Sequence, residues 1–365
     1  MRRPSRQGLA PVCLCGNVQF PASPRSPHEG EKRFFPFSGW FHNTKHSRNK
    51  IRDHLIRFSQ RTAVPAGILI VFLMVTISSD AQDPEEETQK YFSAIRQGSY
   101  SPLPAAFSKH EKQTFEMLRP FLKDSADAVK LKAYEAMFAV ISNATDPSLR
   151  TEGINLLMFA CNAREWAVRS AAHDFLKHFD KKEFTVFAKD SLRKYIKSEV
   201  APLDVLIKIA GFLQLSDLVP DIRPWAQPGN AAQLRWAALL SLARMGDAVA
   251  TNDVMQRVKR QPINDDLIYS VFPDLVYTRQ RGAIAYMVEA LQSDRNNCLS
   301  ADTERESSIP CGYRIMEQLA PIIDGFPLQL NETGDLETDD YPAALARVRQ
   351  WFIAHSTYTI MNDRY

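Results

Sequence analysis

The sequence lacks the short motifs that mark the commonest catalytic sites. It has no G-x-S-x-G nucleophile elbow, no Walker A phosphate loop, no G-x-G-x-x-G dinucleotide motif and no H-E-x-x-H zinc motif. These motifs supply an activated hydroxyl, an anion cradle or a metal, and the chain offers no substitute of equal specificity. The sequence therefore predicts no catalytic residue and no cofactor site.

Histidine is scarce as well. Residues 82–365 contain only four, His110, His173, His178 and His355. His173 and His178 are five residues apart, which places them on different faces of a helix. We therefore predict ordinary histidines and no metal site.

Long apolar runs are missing apart from one, at residues 63–79. Its dense part, from Ile68 to Ile77, is ten residues long, whereas a membrane span needs about eighteen or more. Arg57 and Arg61 precede the run and supply a positive flank. A short apolar run behind basic residues is typical of a secretory signal peptide.

Small residues follow this run where a signal peptidase needs them, at Ser79 and Ala81. Residues 63–81 are therefore predicted to be a signal segment, cleaved between Ala81 and Gln82, and the protein to be exported to the periplasm or secreted. Two alternatives remain. One is an uncleaved anchor through residues 63–79, and the other is a buried core helix.

About sixty residues precede the apolar run, which is unusual for a signal peptide. Residues 1–62 combine scattered proline and arginine with no helical periodicity, so we predict a disordered leader. An alternative start at Leu55 would leave a basic flank of ordinary length. Residues 1–54 would then lie upstream of the true start.

Positive charge is concentrated in the first 81 residues. Residues 1–81 have a net charge of +8, whereas residues 82–365 have a net charge of −5. Phosphate binding needs a basic face, so the acidic balance after residue 81 speaks against nucleic acid as the main partner.

Cysteine is limited to five residues. Cys13 and Cys15 lie in the leader with no second pair, so zinc binding is not expected. Cys298 and Cys311 flank a polar segment, and in an exported protein we predict that they form a disulfide; two free thiols are the alternative. Cys161 ends an apolar stretch and is predicted to be a buried thiol.

Helical periodicity dominates residues 84–292, where apolar residues recur at spacings of three and four. Alternating β-branched residues are scarce. Asp146-Pro147 is a helix start, and Asn230 is predicted to cap a later helix. The fold class is therefore all-α.

An internal repeat runs through this region. Segments around Val129-Lys130, Val168-Arg169 and Leu234-Arg235 each place a basic residue after an aliphatic one, followed by small alanines. Gly153 takes the small position in a fourth segment. Arg169 and Arg235 are 66 residues apart, which is about two repeats of 33.

These segments resemble the HEAT repeats, within the wider armadillo-like helical repeats. The best match, Leu234 to Lys259, contains the pattern L-R-x-A-A-L-x-x-L-A-x-x-G-D. The resemblance covers residues 104–292. The chain resembles an exported, bacterial-type member of the HEAT-repeat family. It implies an α-solenoid over residues 84–292 that binds partner proteins along its surface.

The chain departs from the repeat after residue 292. We predict an irregular helical cap over residues 293–365, with a polar insertion between the two cysteines and an acidic loop at residues 331–340. The loop carboxylates lack EF-hand spacing, so a solvated loop is favoured over a calcium site.

Aromatic and arginine side chains are the usual anchors of protein interfaces. Trp166, Trp225, Arg235 and Trp236 are therefore the candidate partner surface. The alternative is that these tryptophans pack between neighbouring helices.

The sequence leads us to expect an exported, non-enzymatic helical-repeat scaffold that binds a partner protein in the cell envelope. One alternative is a structural protein anchored in the membrane through residues 63–79. Another is a HEAT-type lyase or hydrolase with its site near the acidic loop. The expected partner is a protein, with no nucleic acid and no cofactor, and the oligomeric state stays open.

Overall fold

The structure, a computed structural model, describes residues 84–365 apart from 100, 109, 296, 301–306 and 332. The predicted leader, the signal segment and the cleavage site between Ala81 and Gln82 lie outside the described residues. Within the part that is described, no helix combines the length and the hydropathy that a membrane crossing requires.

The described residues are mostly helical, as predicted. The α-helices are α1 Pro84–Arg96, α2 Glu111–Leu118, α3 Asp127–Asn143, α4 Pro147–Ala160, α5 Trp166–Leu176, α6 Val186–Lys197, α7 Leu203–Phe212, α8 Val219–Ile222, α9 Ala232–Arg244, α10 Ala248–Val258, α11 Asp265–Ser270, α12 Phe272–Thr278, α13 Arg281–Leu291, α14 Gly312–Leu319 and α15 Tyr341–Ala354. Short 3₁₀ turns connect several of them, and two strands, β1 Cys298–Leu299 and β2 Ser308–Ile309, form a small antiparallel pair.

Local sequence signals explain some helix starts and miss others. Pro147 opens α4, and the Asp146 side chain accepts a hydrogen bond of 2.8 Å from the backbone N of Ser148, as predicted. Asn230 does not cap α9. Its Nδ2 instead donates to the backbone oxygen of Pro224 at 2.9 Å, because the side chain folds back over the preceding turn.

The helices stack as consecutive pairs, and each pair packs against the next. Along the chain α3 packs on α4 and α5, α4 on α6, α7 on α9, α9 on α10 and α12, and α12 on α13 and α14. One such pair cannot bury its apolar face alone, so stacking makes the core continuous. This arrangement confirms the predicted all-α solenoid.

Small residues mark the close approaches between helices. Ala133, Ala172 and Ala238 have no exposed surface. A Cβ atom added to Gly153 would come within 2.5 Å of the Ile141 side chain, so only glycine fits between α3 and α4 there. These are the small positions that the repeat pattern predicted.

Hydrogen bonds between side chains report the repeat length directly. Three basic residues each donate to the side chain that lies 33 residues further along, in the pairs Arg119–Glu152, Arg150–Glu183 and Lys181–Gln214. Their spacing equals the repeat of about 33 residues expected from the sequence.

A disulfide closes the polar insertion. Cys298 and Cys311 are bonded, with their Cα atoms 5.1 Å apart, and Cys298 lies in β1 opposite Ile309 of β2. The sequence predicted this bond. Cys161 is a buried free thiol, and burial raises its pKa.

Candidate functional site

The tryptophans proposed from the sequence as a partner surface lie in different environments. Trp166, the first residue of α5, is 70 % exposed, whereas Trp225 and Trp236 are half-buried against the core. Arg235 is half-buried too, and its Nε has no hydrogen-bond partner. Among these four residues, Trp166 presents the large free apolar surface.

A second exposed aromatic residue accompanies Trp166. Phe159, near the end of α4, is 66 % exposed, and residues 161–165 join α4 to α5 in a short turn. Polar groups flank the turn, where Glu165 accepts a hydrogen bond of 2.6 Å from Lys130 of α3. That ammonium holds the pKa of Glu165 below its usual value. We name Phe159 and Trp166 the turn patch.

A polar cluster joins α7, α9 and α12. The carboxylate of Asp274 accepts 2.9 Å from Lys208 Nζ at one oxygen and 2.6 Å from Trp236 Nε1 at the other. The Lys208 ammonium also lies 4.9 Å from the centre of the Tyr277 ring. Because both Asp274 oxygens are bound, the carboxylate fixes the Trp236 indole. The Asp274 side chain is 19 % exposed, so it faces solvent only in part.

A buried arginine lies at the end of α9. Arg244 is 2 % exposed, and its guanidinium lies 5.2 Å from the Phe212 ring centre and 4.8 Å from that of Tyr277. Its nitrogens donate to two backbone oxygens, those of Tyr277 at 2.6 Å and Arg364 at 2.7 Å. Burial lowers the pKa of Arg244. The group binds main-chain oxygens where a carboxylate would be expected.

The partner of Arg244 belongs to residues 358–365, which we name the strap. The strap runs back from the end of α15 across α12 and α13 to the turn before α6. Arg281 donates 2.8 Å to the backbone oxygen of Tyr358, and Arg279 donates 2.9 Å to that of Met361 and 3.0 Å to that of Tyr365. We name Arg244, Arg279 and Arg281 the arginine row.

The strap is also held at its sides. Ile360 forms a β-bridge with Ile323, and the backbone N of Lys181 donates 2.9 Å to the oxygen of Asp363. The ring of Tyr365 lies 5.6 Å from that of Phe212 and 5.2 Å from that of Tyr277. No sequence pattern points to these residues, because an extended segment bound through its backbone has no periodicity to detect.

Positive charge is crowded beneath the strap. Burial, with a further contribution from the charge of Arg244, lowers the pKa of Arg279 to about 10. The same two causes lower the pKa of Lys181, and Asp363 opposes both shifts. The cations repel one another where solvent screens them poorly.

The acidic loop closes on itself. Oδ1 of Asn331 accepts 2.9 Å from the backbone N of both Thr333 and Asp335. Within the described residues, no group of three or more His, Cys, Asp or Glu side chains is placed to hold a metal ion.

A cavity of about 200 Å³ lies beside the disulfide rather than beside the acidic loop. The side chains that line it include Ile263, Tyr286, Glu289 and Arg295. Glu289 supplies its single carboxylate, so the cavity holds no pair of acids.

No protein family model matches the chain, and no curated protein matches it. One solved structure to which it is similar is the complex of CpcE and CpcF of phycocyanin lyase from Nostoc sp. PCC7120. The similarity covers 81 % of this chain and 97 % of that chain, with 12 % identity and a TM-score of 0.40.

This comparison corrects one expectation. The similar structure is that of a phycocyanin lyase, which is against the expected non-enzymatic scaffold and agrees better with the lyase-type alternative. That structure is a complex of two proteins. At this level of similarity it identifies no substrate and no active residue of this chain.

Proposed function

We propose that this HEAT-type chain recognises another protein, and that the turn patch is a contact surface for it. The carrying observation is the pair of exposed aromatic side chains, Phe159 and Trp166, on either side of one turn. Aromatic side chains that are apolar and rigid give large contact areas, and a surrounding polar rim excludes water from the contact. The Lys130–Glu165 pair supplies such a rim.

Truncation of the patch tests this function. We expect the wild-type chain to capture partner proteins from a cell extract. The double variant Trp166→Ala/Phe159→Ala is expected to capture none of them. Val249→Ala is the matched control, since Val249 is also 66 % exposed but lies on α10. All three changes are at exposed positions and alter stability by about 0.5 kcal/mol or less. Capture of the same proteins by the double variant contradicts the role of the patch.

Export is part of the proposal. The apolar segment at residues 63–79 and the small residues at 79 and 81 support a signal that is cleaved between Ala81 and Gln82. The Cys298–Cys311 disulfide supports an oxidising compartment, where such bonds persist. N-terminal sequencing of the native protein tests this, and a product that still contains Ile70 would indicate an anchor.

A second candidate function is a lyase-type enzyme, and the Asp274 cluster favours it. The cluster brings a carboxylate, an ammonium and an indole N–H together at a half-buried place between three helices. An acid–base step needs such a group within hydrogen-bond reach of the proton that it transfers.

Mass spectrometry of a cell extract incubated with the chain tests this candidate. We expect a product that the wild-type chain makes to be absent when the Asp274→Asn variant is used and present when the Asp204→Asn variant is used. Asp204 lies on α7, the helix that carries Lys208, and accepts a hydrogen bond from Gln233. Equal products from both variants exclude Asp274 as an acid–base group.

A further inference from the structure

The arginine row binds mainly backbone oxygens of the strap. Among the described residues, no side-chain carboxylate forms a salt bridge with Arg244, Arg279 or Arg281, and each donates to strap oxygens. The strap itself contains one acid, Asp363, and one base, Arg364, so its side chains add no net charge. The positive charge beneath the strap is therefore only partly compensated.

The contacts to the strap depend little on its sequence. Apart from a contact of 3.5 Å between Arg244 and Asn362 Oδ1, the bonds from the arginine row go to backbone oxygens, which every extended segment presents at the same spacing. The specific elements are the Tyr365 ring, which packs against Phe212 and Tyr277, the charge of Asp363, and an exposed Arg364–Asp180 pair at 3.6 Å. An extended segment with an aromatic residue and more carboxylates would make the same bonds and compensate the charge better.

The backbone at Arg279 supports a binding role for its side chain. Arg279 ends α12 with φ +54°, in the left-handed region where helices usually end with glycine. A residue other than glycine costs about 1 kcal/mol there. The side chain that is retained at this cost makes the bonds to Met361 and Tyr365. Strained positions of this kind cluster at ligand clamps.

We propose that the groove beneath the strap is a second protein-binding site, whose ligand is an extended, acidic segment of a partner protein with an aromatic residue. In the described structure the strap occupies this groove as an internal competitor. The arginine row binds the backbone of the ligand, and the Phe212–Tyr277 pocket binds its aromatic ring. Carboxylates of the ligand pair with Arg279 and Lys181. This site is separate from the turn patch.

Peptide titration of the full chain tests the proposal. The probe is a labelled peptide with the strap sequence 358–365 that carries Asn362→Asp, which faces Arg244, and keeps Arg364, which pairs with Asp180; the reference is the unaltered strap peptide. We expect the acidic peptide to bind at least about tenfold more tightly at low salt, with the difference shrinking as salt is added. Equal binding of both peptides, or none, overturns the proposal.

Three variants locate the binding. Tyr365→Ala removes the aromatic anchor of the strap, which is the internal competitor. We therefore expect the acidic peptide to bind about tenfold more tightly to this variant than to the wild-type chain. Arg279→Gln is to weaken binding by about tenfold or more. Arg193→Gln is the control, since Arg193 lies on α6 and pairs with Asp217. Unchanged affinity in Tyr365→Ala or in Arg279→Gln overturns the proposal, as does an equal loss in Arg193→Gln.

A second measurement covers a variant that fails to fold. In the wild-type chain we expect the backbone amides of residues 361–365 to exchange hydrogen faster when the acidic peptide is added, because the strap then leaves the groove. Exchange that is unchanged at peptide concentrations that saturate binding overturns the proposal.

Discussion

Trp236 Nε1 donates a hydrogen bond of 2.6 Å to Oδ2 of Asp274, across 38 residues of sequence. The bond ties α9 to α12, and Lys208 adds α7 through the other carboxylate oxygen. A residue proposed from the sequence as part of a contact surface thus also links successive repeats.

Removing the Asp274 carboxylate is expected to destabilise the fold. Asp274→Ala leaves the Lys208 ammonium half-buried without its partner and frees the Trp236 N–H, which together cost about 2 kcal/mol. Urea denaturation measures this loss. Asp190→Asn is the control, since Asp190 forms an exposed pair with Arg193 and its replacement costs about 0.5 kcal/mol or less. Equal losses in the two variants would contradict the structural role of Asp274.

His173 makes the stability depend on pH. It is 2 % exposed, neither ring nitrogen has a hydrogen-bond partner, and burial lowers its pKa to about 4. The unfolded chain binds the proton near pH 6.5, so stability is complete above that pH and declines as the pH falls towards 4. The loss from this residue is about 3 kcal/mol.

Urea denaturation of the wild-type chain and of His173→Leu at pH 7.5 and pH 4.5 isolates this effect. The carboxylates titrate alike in both proteins, so we expect the wild-type chain to lose more stability on acidification than the variant. Equal losses would show that His173 is protonated in the folded protein.

Arg279 and Glu199 test the two effects of a left-handed residue. Both have positive φ, at +54° and +52°. Glu199→Gly is expected to stabilise by about 0.5 to 1 kcal/mol, because it only relieves strain. Arg279→Gly relieves the same strain but removes the bonds to the strap, so we expect a net loss of about 1 to 2 kcal/mol. Thermal unfolding gives both values, and a stabilised Arg279→Gly would show that the strap bonds contribute little.

The Cys298–Cys311 disulfide is expected to stabilise the fold. The chain-entropy model gives about 3 kcal/mol for a loop of about fifteen residues. Replacing both cysteines by serine should therefore lower the midpoint of thermal unfolding, and a reducing agent should lower that of the wild-type chain alike. Thiol titration of denatured residues 82–365 checks the bond itself. One reactive thiol, Cys161, is expected before reduction and three afterwards.

The sequence determined the local features of this protein. Periodic apolar residues specify helices, Asp146-Pro147 specifies a start, and the small residues at Gly153 and Ala238 specify close packing, because each signal acts within a few turns of chain. The repeat spacing follows from the same pattern. The disulfide was predictable because its two cysteines are near each other in sequence and flank a segment with little apolar surface.

Only the tertiary structure decided where the long-range contacts fall. Asn230 abandons the predicted cap for the oxygen of Pro224, and Arg244 reaches the oxygen of Arg364, 120 residues away. No sequence pattern in the strap predicts this contact, because the guanidinium binds a backbone oxygen, which every residue has. Stacking of the helices creates the groove, and the groove alone selects the segment that fills it.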